Sequence, residues 1–508
     1  MNVEAGKMIN RKGQLLELCK ELAIDPQWDR VITGLALDSR QVSAGDLFFA
    51  IPGVSNDGRQ YIQQALEAGA AAILYQAQGA IEDYQHLSTE VPIIGVENLG
   101  EKVGPIAALF YHQPSRALET IAVTGTNGKT STCHFLAQSL VNHHKKCGVI
   151  GTAGFGCQGV LNKSALTTPD PILLQEQFAD FLLQGAKACI FEASSHGLQQ
   201  HRLNGTEVDI AIFTNLTQDH LDYHGTMENY GAAKRLLFTK PGIKQAIING
   251  EDTFGRRLIN EFASHYPVYA YSTKPIDLDV DVPLIVAEKA TFSLEGFTAK
   301  LATPWGDAVI NSHLMGTFNL SNTLAVLTCL TVMGIPFPQA VRDCSQLKGL
   351  VGRMETFGGG DKPTVIVDFA HTPDALQQAL SALKPYCEKK LICVFGCGGD
   401  REKSKRAPMG TIAEALSDQV IITNDNPRSE DPKAIVKEIL QGFAKPQVAE
   451  VILDRAQAIK SAMTHAVPGD IILIAGKGHE DYQLMGRDKI PFSDQLVVNQ
   501  LFNEGWNE

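Results

Sequence analysis

The chain has 508 residues, a length typical of three domains at roughly 100–200 residues each. Its 44% hydrophobic content is sufficient for packed cores, and 56 acidic against 44 basic residues give a net charge of −12, which argues against a general nucleic-acid binder but allows a local cationic pocket. Its ten cysteines include no CxxC pair and predict reduced thiols in a reducing compartment rather than a disulfide framework.

The first residues predict no signal peptide, because charges are scattered through them and no apolar run follows. A longer stretch, Leu314 to Val341, carries no charge, but Asn319 and Pro336 interrupt it. This stretch predicts a buried helix with a polar N-terminal face rather than a membrane span. We therefore expect a cytoplasmic protein with no membrane-spanning segment.

The order of apolar and helical stretches divides the chain into three predicted domains, residues 1–112, 113–348 and 349–508. The first contains LALDSRQVSAGDLFFAIPG and then a helical pattern over YIQQALEAGAAAILY. The second alternates helical stretches with the strands ETIAV, KACIFEA, VDIAIF and KQAIIN. The third repeats the alternation with TVIVDF, KLICVFG, QVIITND, AEVILD and GDIILIAG, and Gly358–Gly360 predicts a turn. This alternation is typical of α/β domains with parallel sheets.

An apolar strand ending at Val123 runs into TGTNGKT and then into the helical pattern TCHFLAQSLV. Gly125 and Gly128 allow a tight turn whose backbone N–H groups can surround phosphate oxygens. Lys129 can reach the terminal phosphates, and the Thr130 hydroxyl can bind Mg²⁺. A strict GxxxxGK[ST] motif needs glycine at Val123, so an ordinary glycine-rich turn between strand and helix is the alternative.

Two other glycine-rich segments do not predict a dinucleotide site. Residues 154–159 match GxGxxG, but VLNKSALTTPDP follows and does not begin a helix, so a loop or hairpin is expected. Residues 396–399 follow a strand, but Arg401 stands where the third glycine belongs. Neither segment supports NAD as a cofactor.

Acidic and histidine residues follow the next two strands. Glu192 ends the strand CIFE, and Asp219 and His220 follow VDIAIF. Ligands bind at the carboxyl ends of strands in open α/β sheets, so Glu192 could share the Mg²⁺ of Thr130 and His220 could hold a second. The same residues could instead cap helices and bond to loops. Lys234, one of two adjacent cations in ENYGAAKRLLF, is expected from this pattern alone to be a surface lysine.

The third predicted domain offers DNPR at the end of the strand QVIITN. Asp425 can accept hydrogen bonds from an ammonium group, Pro427 restricts the turn, and Arg428 presents a planar guanidinium suited to a carboxylate. Arg401 and Glu480 follow two other strands, so one pocket could hold both charges of an amino acid. A turn with a solvated arginine is the alternative for these four residues.

Nine motifs together resemble one family. In chain order they are TGTNGKT, EASSHGLQQHR, TNLTQDHLDYHG, GTFNLSN, GRME, DFAHTPDAL, FGCGGDREKSKR, DNPR and AGKGHEDYQ. They are similar to the Mur ligases of peptidoglycan synthesis, and to the member that adds the third residue of the stem peptide. The resemblance implies an N-terminal UDP-sugar-binding domain, a central ATP-binding domain and a C-terminal Rossmann-like domain that binds an amino acid. It also implies transfer of the γ-phosphate to a substrate carboxylate and attack of an amine on the acyl phosphate.

The resemblance implies ATP and Mg²⁺ in the second domain. The ATP contacts would be Gly125, Thr126, Asn127, Gly128, Lys129, Thr130, Ser131, Asn319, Asn322, Arg353 and Asp368. Thr130 and Glu192 would bind the first Mg²⁺ and His220 the second. Lys234 matches the family's carbamylated lysine, whose carbamate assists Mg²⁺ binding, and this replaces the surface interpretation. The catalytic residues would be Lys129, Glu192, His220 and Lys234.

The resemblance places a UDP-MurNAc-L-Ala-D-Glu substrate on the first two domains. Its diphosphate contacts would be Leu37, Ser39, Val54, Ser55 and Asn56, and its sugar and dipeptide contacts Thr167, Thr168, Ser194, Gln200 and Arg202. Two residues depart from the pattern. Leu166 stands where a polar asparagine is expected, and Phe369 stands where tyrosine is usual.

The amino acid is expected to be meso-diaminopimelate, because lysine-adding relatives lack the arginine of DNPR. Its predicted contacts are Arg401, Asp425, Asn426, Pro427, Arg428, Gly476 and Glu480. The far carboxylate of diaminopimelate can pair with Arg428, whereas L-lysine would leave a buried guanidinium unpaired.

Three alternatives remain open at this point. The chain could add L-lysine, it could resemble folylpolyglutamate synthase in activity, or it could be a nucleotide-binding protein without catalysis. The expected partners are small molecules only, with no nucleic acid, and the expected state is a monomer.

Overall fold

The computed structural model describes residues 11–53, 56–80, 84–143, 145–157, 161–164 and 166–504. The chain divides into two compact units. Unit 1 consists of Met1–Ala122, Lys145–Asp209 and Leu236–Lys244, and unit 2 of Val123–His144, Ile210–Arg235 and Gln245–Glu508. All ten cysteines are free thiols, and all but Cys387 are buried. Within the described ranges, no helix combines the length and apolarity needed to cross a membrane.

The first part of unit 1 is a small parallel α/β structure. Its elements are β1 (Gly13–Gln14), α1 (Leu15–Leu18), β2 (Val31–Ile32), β3 (Gly34–Ala36), β4 (Asp46–Ala50), α2 (Ile62–Glu67), β5 (Ala72–Gln76), β6 (Ile93–Val96) and α3 (Leu99–Phe110). Strands β3, β4, β5 and β6 pair in that order and all run parallel, while β1 and β2 form a separate antiparallel pair.

Alternate residues of this sheet point to opposite faces, as the two-residue period of a strand requires. Leu47 and Phe49 pack on the side of α3, whereas Phe48 and Ala50 pack on the side of α2. Both faces are therefore buried, as is usual for a parallel sheet.

The helix predicted over YIQQALEAGAAAILY is wrong in its second half. Helix α2 ends at Glu67, and Ala72–Gln76 is the strand β5. Gly69 has a φ of +93°, a conformation typical of a helix C-terminus, and the N–H of Ala70 bonds back to Ala65 O at 3.0 Å. The apolar run that follows gains more from burial between β4 and β6 than from the helix propensity of its alanines.

The middle of the chain continues the alternation and passes from unit 1 into unit 2 within β7. Its elements are β7 (Glu119–Thr124), α4 (Lys129–Asn142), β8 (Cys147–Gly151), β9 (Gly154–Cys157), α5 (Pro171–Leu183), β10 (Ala188–Glu192), α6 (Ser195–Gln199), β11 (Ile210–Phe213), α7 (Leu221–His224), α8 (Met227–Arg235), β12 (Gln245–Asn249), α9 (Thr253–Phe262), β13 (Val268–Ser272), β14 (Leu284–Ser293), β15 (Gly296–Ala302), β16 (Ala308–Ser312), α10 (Thr317–Val332) and α11 (Phe337–Ser345).

The sheet in this part is parallel only in its inner strands. In unit 1, β10 pairs parallel with β8, and β8 with β9 forms an antiparallel hairpin. This confirms the hairpin expected at Gly154, although Gln158, Gly159 and Val160 lie outside the described residues. In unit 2, β11 to β14 are parallel, but β14, β15 and β16 form an antiparallel meander. The predicted parallel sheet is confirmed for the inner strands. The antiparallel meander was not predicted, although TFSLEGFTAKLA alternates apolar and polar residues around a short turn.

The last part of unit 2 is a second α/β sheet. Its elements are β17 (Glu355–Gly358), β18 (Thr364–Asp368), α12 (Pro373–Leu383), β19 (Leu391–Phe395), α13 (Arg406–Leu416), β20 (Gln419–Ile422), α14 (Pro432–Leu440), β21 (Glu450–Val451), α15 (Arg455–His465), β22 (Ile471–Ala475), β23 (Tyr482–Met485), β24 (Asp488–Pro491) and α16 (Asp494–Asn503).

The strand order of this sheet is β17-β18-β22-β19-β20-β21, antiparallel only at β17. Cys393 and Phe395 pack with α12, α13 and α14, whereas Ile392 and Val394 pack with α15 and α16. The result is a three-layer α/β/α structure, and the turn predicted at Gly358–Gly360 connects β17 to β18. Its parallel strands all end at one edge, where ligands bind in open α/β sheets.

Candidate active site

The loop between β7 and α4 has the backbone geometry of a phosphate-binding turn. Gly125 and Gly128 have φ values of +149° and +87°, which L-residues with a Cβ rarely adopt. A Cβ on Gly128 would also lie 2.5 Å from Asn322 Oδ1. Both glycines are therefore required, and the loop opens onto the N-terminus of α4, where backbone N–H groups favour anions.

Two lysines converge on the carbonyl groups of this loop. The Nζ of Lys129 donates to Gly125 O at 3.0 Å and to Thr126 O at 2.9 Å. The Nζ of Lys234, on α8, donates to Gly125 O at 2.7 Å. Two ammonium groups thus approach one oxygen beside the predicted phosphate position, and such crowding is sustained only when one cation loses its charge or gains an anion.

Lys234 is buried, so its interpretation as a surface lysine is wrong. Its side chain is 1% exposed and lies over the ring of Tyr230, with Nζ 4.3 Å from the ring centroid. Burial moves the pKa of Lys234 well below its ordinary value, and the neighbouring charge of Lys129 lowers it further. Both effects favour the neutral amine of Lys234 beside the phosphate-binding turn.

A cavity of about 240 Å³ opens beside this turn within unit 2. It brings together seven of the predicted ATP contacts: Asn127, Gly128, Ser131, Asn319, Asn322, Arg353 and Asp368. Its wall also contains residues that the sequence did not predict, among them Asn249, Thr273, Phe318 and Phe369. A mixed lining of apolar and amide groups behind a phosphate turn suits a nucleoside.

Arg353 contacts both the residue that follows the phosphate-binding turn and an aromatic ring in the cavity wall. Its Nη2 donates to Thr130 Oγ1 at 3.4 Å, and its Cζ lies 4.4 Å from the ring centroid of Phe369. Asp368, at the end of β18, accepts a hydrogen bond of 2.7 Å from the N–H of Met354. Phe369 therefore keeps an aromatic face for the guanidinium even though it lacks the hydroxyl group expected in relatives.

The loop after β11 carries a strongly acidic carboxylate. Burial alone would raise the pKa of Asp219, but the charges of His220, Lys405 and His371 lower it to about 2. His220 has a φ of +57°, and its Nε2 lies 3.3 Å from Asp219 Oδ2. The imidazole is 41% exposed and can therefore reach a ligand.

The donor set in unit 2 fits a magnesium ion that is bound mainly by phosphate oxygens. Within the described ranges, no group of three or more His, Cys, Asp or Glu is arranged to hold a metal. Mg²⁺ in nucleotide sites commonly has one or two protein ligands, with water and phosphate completing the octahedron. Thr130 is 5% exposed at the first turn of α4 and supplies a hydroxyl oxygen of the hard type that Mg²⁺ prefers.

Unit 1 brings the predicted sugar and dipeptide residues into one hydrogen-bonded network. Thr168 Oγ1 bonds to Glu192 O at 2.7 Å and to Ser194 Oγ at 3.0 Å. Arg202 donates to Thr168 O at 2.6 Å and from Nε to Gln200 Oε1 at 3.1 Å. These contacts place a guanidinium and several hydroxyl groups beside the carboxyl end of β10.

Glu192 itself is held by the turn after β8. Its Oε1 accepts the N–H of Thr152 at 2.8 Å, and Thr152 Oγ1 lies 3.0 Å from Thr167 Oγ1. The carboxylate is 1% exposed. Leu166, the residue that departs from the family pattern, is 45% exposed and precedes this network.

The predicted diphosphate contacts follow β3 and β4, two adjacent parallel strands of the small sheet. Leu37 follows β3 directly, and Ser39 is buried with its Oγ bonded to Gln64 Oε1 at 2.9 Å. Asn56 is exposed in the loop after β4, and its carbonyl accepts the N–H of Gly53 at 2.8 Å. Val54 and Ser55 lie outside the described residues.

In the last sheet, the DNPR turn follows β20 and holds a half-buried guanidinium. Arg428 has a φ of +52°, and its Nη1 donates to Gly399 O at 2.8 Å. Among the described residues it forms no ion pair. Burial and the nearby charge of Arg401 lower the pKa of Arg428, although the charges of Asp425 and Glu480 oppose this, so a carboxylate ligand paired directly with the guanidinium would stabilise it.

Two carboxylates border this guanidinium. Asp425 Oδ1 accepts the N–H of Asn426 at 2.7 Å, and Glu480 Oε2 accepts Asn426 Nδ2 at 2.8 Å. Gly476 has a φ of +115°, and a Cβ there would lie 2.8 Å from Asp425 Oδ2. Arginine, aspartate and glutamate thus meet at the carboxyl ends of β19, β20 and β22, where an amino acid can be held by both of its charges.

One charged residue at this edge of the last sheet was not predicted from the sequence. Lys477 is completely buried and donates to Glu480 Oε2 at 2.6 Å. The motif AGKGHEDYQ contains it, but a lysine between two glycines carries no local sign of burial. Only the packing of the DNPR turn against β23 shows its position.

Comparison with known proteins identifies the family. Family models match residues 31–111 as the Mur ligase family catalytic domain, 123–330 as the Mur ligase middle domain, and 352–478 as the Mur ligase glutamate ligase domain. A protein of Coxiella burnetii named UDP-N-acetylmuramoyl-L-alanyl-D-glutamate–2,6-diaminopimelate ligase is 47% identical over 92% of this chain and 94% of its own length. The chain belongs to the Mur ligase family. A protein of the same name from Pseudomonas putida is 46% identical over the same shares of both chains.

Solved structures agree with this family assignment. A Mur ligase structure described as UDP-N-acetylmuramoyl-L-alanyl-D-glutamate–2,6-diaminopimelate ligase is 34% identical, with a TM-score of 0.69 over 97% of this chain and 99% of the other. The folylpolyglutamate synthase of Mycobacterium tuberculosis, complexed with ADP and AMPPCP, reaches a TM-score of 0.61 at 18% identity over 73% of this chain and 91% of its own. The latter likeness concerns the fold alone. The predicted α/β fold with three Mur ligase domains is confirmed, while the domain limits at 112 and 348 stay predictions.

Proposed function

We propose that this Mur ligase joins 2,6-diaminopimelate to UDP-MurNAc-L-Ala-D-Glu, with ATP converted to ADP and phosphate. The observation that carries this proposal is the half-buried guanidinium of Arg428, which has no carboxylate partner among the described residues. Diaminopimelate ends in a carboxylate that can pair with it, whereas L-lysine lacks that group and would leave the guanidinium without a direct ion pair. The names of the relatives support the same amino acid.

ATP would lie in the cavity beside the phosphate-binding turn. The glycines Gly125 and Gly128 let backbone N–H groups approach the phosphates, and Lys129 can turn from its loop carbonyls towards them. Bound Mg²⁺ would neutralise charge on the transferring phosphoryl group. Asn319 and Asn322 would contact the adenine side, and Arg353, stacked on Phe369, would bind phosphate.

Glu192 and His220 stay predicted magnesium ligands. Both side chains have geometries that suit the role, because Glu192 is a buried carboxylate oriented by Thr152, and His220 is partly exposed. The dipeptide network around Thr168 and Arg202 would orient the substrate whose carboxylate accepts the phosphoryl group.

Lys234 would carry a carbamate formed with CO₂. Carbamylation needs an unprotonated amine, and burial together with Lys129 favours that form of Lys234. The amine nitrogen would attack the carbon of CO₂, forming an N–C bond as one C–O π bond opens, and the displaced amine proton would pass to solvent, leaving a carbamate anion beside Lys129. Such an anion would relieve the repulsion between the two lysines and could assist Mg²⁺ binding.

Diaminopimelate would then be held at the edge of the last sheet. Glu480 and Asp425 can accept hydrogen bonds from an ammonium group, while Arg428 and Arg401 can donate to a carboxylate. Holding the far end in this way would leave the reacting amine oriented for attack on the acyl phosphate, forming the amide and releasing phosphate. A monomeric state stays a prediction.

Phosphate release by the purified protein tests the proposed function. The assay contains ATP, Mg²⁺ and UDP-MurNAc-L-Ala-D-Glu, with meso-diaminopimelate, with L-lysine or with neither. We expect release that depends on diaminopimelate and a new amide product by mass spectrometry. Release with L-lysine alone would keep the family and overturn the role of Arg428, while no release in any arm would overturn the ligase activity.

A further inference from the structure

The amino-acid site contains a buried cation that the proposed mechanism does not use. Lys477 follows Gly476 at the end of β22, and its side chain is 0% exposed. A buried ammonium is costly unless anionic or dipolar groups surround it, so its partners indicate its role.

Those partners are two residues of the proposed diaminopimelate site. The Nζ of Lys477 donates to Glu480 Oε2 at 2.6 Å and lies 3.2 Å from Asn426 Oδ1. Asn426 Nδ2 donates to the same oxygen of Glu480 at 2.8 Å. Glu480 Oε2 therefore accepts two hydrogen bonds, whereas Oε1 accepts none from the residues that the structure describes.

The Asn426 amide also has a fixed orientation. Its Oδ1 accepts the N–H of Leu484 at 2.9 Å in addition to the Lys477 contact. Lys477 Nζ lies 5.6 Å from the ring centroid of Tyr482, in the same strand β23. One lysine thus connects the DNPR turn, the turn after β22 and β23.

We propose that Lys477 is a positioning residue that orients the Glu480 carboxylate, with Oε1 directed at an ammonium group of the amino-acid substrate. This inference rests on the proposed function, because it assigns the open oxygen of Glu480 to diaminopimelate. Without Lys477, Glu480 would lose its cation and rotate among several rotamers, and the site would have to order it again when the substrate binds.

The test compares KM values in the full-length protein for Lys477→Met and Glu480→Gln. Lys477→Met keeps a long unbranched side chain and removes the charge. We expect its KM for diaminopimelate to rise at least about 30-fold, the lower end of the usual effect of truncating one partner of a buried charged pair, while the KM values for ATP and UDP-MurNAc-L-Ala-D-Glu change less than about twofold.

The double variant Lys477→Met with Glu480→Gln separates positioning from a general structural role. If Lys477 acts through Glu480, the double variant has the same KM for diaminopimelate as Glu480→Gln alone. Removing both charges leaves no unpaired buried ion, so this variant should fold even if Lys477→Met does not. A double variant with a much higher KM than Glu480→Gln would overturn the proposal.

Lys489→Met is the matched control. Lys489 lies in β24, is exposed, and its Nζ is 4.0 Å from the centroid of the same Tyr482 ring. Its replacement should leave all three KM values unchanged. An unchanged KM for diaminopimelate in folded Lys477→Met, or an equal rise of all three KM values, would overturn the positioning role. Absence of diaminopimelate-dependent phosphate release in the unmodified protein would instead overturn the proposed function.

Discussion

At the residue scale, Arg428 is partly buried, and its guanidinium forms no direct ion pair with a carboxylate of the described residues. Replacing it with alanine should raise the KM for diaminopimelate about 100-fold, because the substrate carboxylate loses a buried ionic partner. The KM for ATP should stay within about twofold. Steady-state phosphate release measured against each substrate distinguishes the two effects.

Arg487→Ala is the control for this substitution, since Arg487 is exposed in the turn between β23 and β24. It should behave like the unmodified protein. Equal loss of ATP and diaminopimelate binding in Arg428→Ala would contradict the assignment of the guanidinium to the amino acid.

Lys234 is the second residue whose chemistry can be tested directly. Lys234→Arg keeps a positive charge but cannot form the carbamate, so phosphate release should fall at least about 100-fold. A ¹³C NMR spectrum recorded with ¹³CO₂ should show a carbamate carbon in the unmodified protein and lose it in the variant. Burial and the charge of Lys129 lower the pKa of Lys234, which favours the neutral amine that reacts with CO₂.

Lys240→Arg provides the comparison, since burial lowers the pKa of Lys240 to about 8 and its Nζ donates to Asn204 Oδ1 at 2.7 Å. This variant should retain both the carbamate signal and the activity. A carbamate signal that disappears with Lys240 instead of Lys234 would show that the modification is at a different lysine.

Short-range patterns predicted the turns that hold two candidate site residues, whereas the helical pattern alone placed a third, Lys234, on the surface. Gly128 and Arg428 sit in turns whose chemistry depends on a few adjacent residues, and such turns are recognisable in sequence. The burial of Lys234 depends on Tyr230 and on the carbonyl of Gly125, which is more than a hundred residues away. No local sequence pattern indicates that contact. The residue pattern by itself therefore predicted a surface lysine, and only the family resemblance predicted a role in the site.

At the element scale, helices α15 and α16 are joined by a fully buried ion pair. Arg455 Nε and Nη2 lie 2.7 and 2.8 Å from the carboxylate oxygens of Asp494, and both side chains are 0% exposed. Asp494→Asn would leave the guanidinium charge buried without a counter-ion. We expect the free energy of unfolding to fall by about 3–5 kcal/mol, measured by urea denaturation.

Glu288→Gln is the corresponding exposed control. Glu288 pairs with Lys300 at 2.8 Å across β14 and β15, where the two side chains are 43% and 56% exposed. Solvent screening should limit its effect to less than about 1 kcal/mol. A similar decrease in the free energy of unfolding of both variants would show that burial does not govern the strength of the Arg455–Asp494 ion pair.

Comparison of the predicted with the observed strands shows where sequence patterns identify secondary structure. The strands ETIAV and GDIILIAG were predicted because runs of β-branched residues next to helical stretches are typical of buried parallel strands. The helix predicted over AAAILY is wrong because it rested on the preference of alanine for helices in isolation. Burial in the parallel sheet makes most of this segment a strand. The meander β14 to β16 was missed because its alternating pattern differs from the continuous apolar runs that characterise its neighbours.

At the scale of the whole molecule, the predicted ligand contacts are distributed over both units. The nucleotide cavity and the amino-acid site belong to unit 2, whereas the predicted contacts of the UDP-sugar substrate belong to unit 1. A ligand that binds only the folded protein stabilises the structure it contacts. Each substrate should therefore protect a separate set of backbone amides from hydrogen exchange.

Hydrogen exchange measured by mass spectrometry, with one ligand added at a time, tests this distribution. ADP should slow exchange in residues 124–131 and 317–322, diaminopimelate in 425–428 and 476–484, and UDP-MurNAc-L-Ala-D-Glu in 166–168. Exchange in the meander β14 to β16, which carries no predicted contact, should change least and serves as the internal control. If diaminopimelate protected residues 124–131 and left 425–428 unchanged, the amino acid would bind beside the phosphate turn and its assignment to the last sheet would be wrong.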